Sequence, residues 1–211
     1  MIRLLLIGVV LLNGPAVHAQ LRAKAISYKV QVDMAALDPS FEGGEGKVRY
    51  YDFEADAYYS DQMVRTIVRK VGKHGDGGPN IRQRLYDLKT LDQYDIDHDQ
   101  RYVLLKKNQV VAPKPTGNSK DIMGYRCREM AFSDYRGVRI TVWVTSKLPR
   151  NICPLGNYSL DGTALEITTS NGLHFVATDF AEGELNPGFF DVPKGYQEEV
   201  LTVSDNDKKS K

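Results

Sequence analysis

Ile26, Tyr28, Val30, Val32 and Met34 alternate with Ser27, Lys29, Gln31 and Asp33. A period of two sends the two sets to opposite sides of an extended chain, so this segment is stable only as a strand with one buried and one wetted face. Val138, Ile140, Val142 and Val144 repeat the pattern against Arg139, Thr141 and Thr145, and the single tryptophan, Trp143, breaks its polar side. Shorter β-branched or aromatic stretches follow at 48–54, 63–70, 81–88, 101–106, 124–132, 164–169 and 173–181, separated by turn-forming residues. No long segment carries a helical period. The pattern predicts a mainly β (α+β) domain of about eight to eleven antiparallel strands with short helices in the connections. A sheet of that width without a helical layer must curl or fold over itself. Gly72, Gly75, Gly77 and Gly78 predict a hairpin loop, and Pro113 and Pro115 a linker-like connection at 112–119.

The N-terminus sets the compartment expected for this domain. Arg3, the apolar run Leu4 to Leu12 and the small residues Val17 and Ala19 before Gln20 have the three parts of a secretory signal peptide. The apolar run is far short of the roughly 20 residues a membrane span needs. The expected organisation is a signal peptide at 1–19, one antiparallel β domain at 20–202 and a disordered tail at 203–211, with the mature chain exported to the periplasm or beyond. Removing 1–19 takes away Arg3 and no acid, leaving the 27 acidic residues balanced by as many basic ones. A nucleic-acid partner needs a basic excess to neutralise phosphates, and the neutral balance argues against one. In an oxidising compartment Cys127 and Cys153, the only two cysteines, are expected to pair. Such a bridge would contribute roughly 3–4 kcal/mol by loop entropy.

The candidate chemistry is sparse. Asp95, Asp97 and Asp99 begin like a calcium loop, but Gln100 stands where the loop needs glycine and Lys106 where it needs glutamate. They are weak metal candidates, read as a strand end and turn with the acids in water. His74, His98 and His174 lack zinc spacing, and neither HExxH nor GxSxG occurs. No cofactor is implied, and a hydrolase is the least favoured class. Tyr50, Tyr51, Phe53, Tyr58 and Tyr59 form a dense aromatic stretch, from which Tyr50 and Tyr58, with Trp143, are the candidate ligand-binding residues.

Gly124-Tyr125-Arg126-Cys127, the strand ending Val142-Trp143-Val144-Thr145, Leu148-Pro149, Gly162-Thr163-Ala164-Leu165-Glu166-Ile167 and the closing Phe189-Phe190-Asp191-Val192-Pro193-Lys194-Gly195-Tyr196 carry a resemblance. Over roughly 120–197 the chain resembles secreted families of Gram-negative envelopes that include the GLPGLI family, and its departures suggest a sister family. Those families are similar in architecture to the LolA/LolB lipoprotein carriers. The resemblance implies a strongly curved, unclosed antiparallel sheet, a half-barrel, whose concave face holds acyl chains. The function expected from it is a non-enzymatic envelope protein that binds a lipid or other apolar ligand on that face. The alternative is a structural or protein-interaction module with an envelope protein as partner.

Overall fold

The computed structural model describes residues 21–38, 40–42, 49–71, 83–107, 111–134, 136–156 and 158–202. The segment 1–19, the glycine loop with His74, and the tail lie outside them. The strands are β1 (Leu21–Asp33), β2 (Tyr50–Tyr59), β3 (Met63–Lys70), β4 (Gln83–Asp87), β5 (Gln93–Asp97), β6 (Tyr102–Lys107), β7 (Lys114–Ile122), β8 (Tyr125–Ser133), β9 (Arg139–Thr145), β10 (Thr163–Thr169), β11 (Leu173–Leu185) and β12 (Gln197–Thr202). All twelve join one curved sheet in the order β12-β6-β5-β4-β3-β2-β1-β11-β10-β9-β8-β7. Its two edges are different strands, so it does not close. Every pair is antiparallel except β12 with β6. Among the described residues, helices are confined to α1 (Met34–Leu37) and a 3-10 turn at Pro187–Phe190.

The alternation of β1 explains its central place. Ile26, Tyr28, Val30 and Val32 are at most 1% exposed. Large residues meet small ones across the ladder, Tyr28 opposite Ala55 and Ile26 opposite Ala57, which lets the layer interdigitate. Burying each large apolar side chain contributes about 1.5–3 kcal/mol. This inner face continues through Phe53, Val64 and Tyr86 on one side and Phe175, Ile167 and Val142 on the other. The chain covers it with its own connection between β9 and β10. Residues Ile152, Cys153 and Leu160 of that crossing are buried in the same core, with Leu148, Leu155 and Tyr158 packed beside them.

Two anchors fix the crossing. The hydroxyl of Tyr86 accepts from the Cys153 N–H at 2.9 Å and lies 3.0 Å from the carbonyls of Asn151 and Cys153. Gly162, where the crossing rejoins the sheet, has φ +148°, and a Cβ there would come within 2.1 Å of the Thr145 carbonyl oxygen. Only glycine fits. The outer face carries a smaller core of Ala23, Leu85, Ile96 and Val103. The segment leading from β11 to β12 straps over it with Phe189, Phe190, Val192 and Tyr196.

Three strands depart from the sequence pattern. β5 lies where a turn with solvated acids is expected, yet Asp95 and Asp97 are buried, at 6% and 4% exposure. β7 occupies much of the expected linker, and β12 extends the sheet by pairing with β6. The expected disulfide is also corrected: Cys127 and Cys153 are both buried, free thiols. Cys127 pairs across from Lys120 of β7 and shares its outer-face row. Cys153 lies under the inner face, held against Tyr86. The sheet stands between them.

Candidate functional site

Over the half of the sheet from β11 to β7 no described segment straps the outer face, and Trp143 sits at its centre. In the row across the strands, Trp143 has Glu166 of β10 on one side and Glu129 of β8 on the other. Strand alternation puts all three on the outer face. Lys120 reaches in from β7, its ammonium 4.2 Å from the Trp143 ring centroid and 2.7 Å from Glu166 Oε2. A cation over an indole face adds about 0.5–1 kcal/mol at such sites. The other oxygen of Glu166 stands 3.6 Å from His174 Nε2. Glu129 accepts hydrogen bonds from Thr116 Oγ1 at 2.5 Å and Asn118 Nδ2 at 2.7 Å. Those two donors hold its carboxyl below the usual range. The result is a partly buried aromatic ring framed by carboxylates, an ammonium and an imidazole whose positions are set by one another. The neighbouring Cys127 thiol is pushed up by burial, which keeps it protonated and a poor nucleophile.

The other residues singled out in the sequence do not join this platform. Tyr50 is 47% exposed at one end of β2, with the Arg49 guanidinium 5.0 Å from its ring centroid. Tyr58, near the other end of that strand, is taken up by the strap, edge-on to Phe189 at 4.9 Å. Eight residues of strand separate the two tyrosines by about 27 Å, and four strand spacings put Trp143 about 19 Å to the side. Three aromatic residues so placed do not make one binding surface. His98 meets Tyr196 at 2.8 Å in the β5–β6 turn, on the opposite half of the sheet from His174.

Asp95, Asp97 and Asp99 separate likewise. Asp99 is exposed in the turn, and Asp97 accepts from the Gln100 N–H at 3.0 Å. Asp95 is bonded by Lys106, receives Gln93 Nε2 at 2.6 Å and lies 3.4 Å from Arg84 Nε. Burial pushes the Asp95 carboxyl up, but the charges of Arg84 and Lys106 outweigh it and hold the group below its usual range. Among the described residues no group of three or more histidine, cysteine or acidic side chains could hold a metal ion. None of their helices is long and apolar enough to cross a membrane.

The platform is legible in the sequence only in part. Trp143 stands out as an aromatic on the polar side of its strand, but Lys120, Glu129 and Glu166 come from three other strands. Their convergence depends on a strand, β7, whose sequence carries no apolar alternation.

No known family profile and no curated protein matches the chain. Among solved structures, PNGF-II in one crystal form is similar over 86% of this chain and 31% of its own, with 16% identity and a TM-score of 0.52. The chain thus spans about a third of the length of PNGF-II. An uncharacterized conserved protein from Thermus thermophilus aligns over 87% of this chain and 93% of its own, at 8% identity and a TM-score of 0.43. At 16% identity the likeness to PNGF-II is one of fold alone.

Proposed function

We propose that this chain is an exported, non-catalytic binding module of the cell envelope that meets its partner on the outer face around Trp143. One observation carries the reading: the chain fills the inner face with its own 146–162 crossing, while Trp143 stays partly exposed in a frame of ion pairs. Aromatic residues, tryptophan above all, are the typical anchors of protein contacts, with charged groups at their rim. The signal-peptide pattern and the resemblance to GLPGLI-like secreted families support the envelope as the setting.

A lipid or other apolar ligand on the inner face is the competing reading. It would have to displace Ile152, Cys153 and Leu160, each at most 3% exposed, and break the Tyr86 anchor. A photo-crosslinking residue at Thr141, beside Trp143 on the outer face, decides between them in intact cells. A single defined partner, lost in Trp143→Ala, is the expected result. No crosslink, together with a fatty acid retained in native mass spectrometry of the gently purified chain, would overturn the proposal in favour of the lipid reading.

A further inference from the structure

The two edges of the sheet are built differently. β7 is closed to an added strand by its own sequence. Pro115 has no N–H, and Gly117, at φ +95°, lies within the break in register between Pro115 and Ser119. The two-residue turn Met123-Gly124, with φ 51° and 79°, directs the backbone groups of Ile122 and Lys120 toward β8. Of the regular part of β7, Ser119 and Asp121 alone face outward, too short a ladder to extend.

β12 has no such protection. The Gln197 N–H donates to the Arg101 carbonyl at 2.9 Å. In the parallel register with β6, Gln197, Glu199 and Leu201 therefore turn their backbone groups toward β6. Glu198, Val200 and Thr202 turn theirs the other way, where no described strand lies. The strap holds β12 firmly, since Val192 and Tyr196 are packed into the outer core just before it. The edge is also acidic. Glu198 and Glu199 are exposed on opposite faces, the Glu199 carboxylate also accepting from the Tyr102 hydroxyl, and Asp87, Asp92 and Glu198 lie around Tyr94. Between them Val200 is 52% exposed.

We propose that the free edge of β12 takes up an extended, lysine- or arginine-bearing segment of a partner protein as an added strand. The backbone groups of Glu198, Val200 and Thr202 supply the ladder, the two glutamates receive cations on both faces, and Val200 receives an apolar side chain. A second copy of β12 suits less well: paired antiparallel about Val200 it would set Glu198 against Thr202 and Glu199 against Leu201, but it would bring four carboxylates to one seam with no basic residue of β12 to offset them. This contact goes beyond the Trp143 platform, which lies on the other half of the sheet.

The test uses the full chain and two fluorescein-labelled peptides, one alternating lysine with valine and one alternating glutamate with valine. The lysine peptide should bind, more weakly as salt rises, and should slow amide exchange at Glu198 and Val200 but not at Gln197 or Glu199. Val200→Pro removes an outward N–H and leaves the β6 ladder in place, so affinity should fall about tenfold with an unchanged melting temperature. Should that variant melt early, the double change Glu198→Lys with Glu199→Lys decides the matter by reversing the peptide preference. Equal binding of the two peptides, indifference to these changes, or a concentration-dependent dimer that Val200→Pro dissolves would overturn the proposal. Trp143→Ala should leave peptide binding intact. Absence of any Thr141 crosslink in the parent chain, with peptide binding preserved, would sink the platform reading and leave this one standing.

Discussion

Removing one oxygen atom tests whether the inner face is closed by the chain itself. Tyr86→Phe deletes the hydroxyl that accepts from the Cys153 N–H at 2.9 Å and bonds the Asn151 carbonyl at 3.0 Å. The Cys153 carbonyl keeps the Gly156 N–H at 3.3 Å, but its N–H is left buried without a partner. An orphaned buried donor costs about 1–3 kcal/mol and the lost bond about 1 more, a destabilisation of about 2–4 kcal/mol. In a domain of this size that lowers the melting temperature by about 4–16 °C. Tyr28→Phe is the comparator. Its hydroxyl bonds the Ala164 carbonyl at 2.8 Å, and its loss should cost about 1 kcal/mol. Urea unfolding gives both values, and native-state exchange of the Cys153 amide should quicken in the first variant alone. If the two variants fall within about 0.5 kcal/mol of each other, the crossing is not pinned at Tyr86 and the reasoning fails.

Three further outcomes follow from the same geometry. Unfolded in denaturant without reductant, the protein should release two titratable thiols; folded, Cys153 should not react, its thiol pushed up to about 12 by burial, and a count of zero thiols in the unfolded chain would restore the disulfide. Asp95→Asn leaves the half-buried Lys106 and Arg84 without their carboxylate and should cost up to about 3 kcal/mol at neutral pH. Because the folded state holds Asp95 below the usual carboxyl value of 3.8, its stabilisation is full above that pH and is lost as pH falls through the lower folded value, so acid unfolding of the variant should be shallower than that of the parent. Gly162→Ala forces a Cβ into the Thr145 carbonyl and should destabilise by about 2–4 kcal/mol, measured by calorimetry.

What the sequence discloses, and what it hides, follows from how many faces of each strand are buried. β1 and β9 have one apolar and one polar face, so their alternation shows both strand and orientation. β5 also alternates, but Tyr94 and Ile96 point to the strapped outer core while Asp95 and Asp97 point inward, Asp95 to an ion-paired cluster. With both faces buried and one of them polar, its pattern resembles a solvated turn. β7 is exposed along most of its length, so only backbone pairing makes it a strand, and pairing leaves no mark in composition. The cysteine pairing failed for a related reason. Compartment and count favour a bridge, but only the register shows that one thiol lies on each side of the sheet.

The position of β1 has a consequence for how the molecule comes into being. β2 through β6 can zip up hairpin by hairpin as they are made, and so can β7 through β11. β1 alone belongs to both series, and its ladder to β11 joins Leu21 to Leu185. Closing so long a loop is entropically slow. A chain emerging from its N-terminus therefore carries this amphipathic strand with one side unsatisfied until nearly all the rest of the sheet has appeared. The strand at the middle of the finished sheet is the one that waits longest for its neighbour, and the interval in which misassembly threatens is set by the arrival of β11.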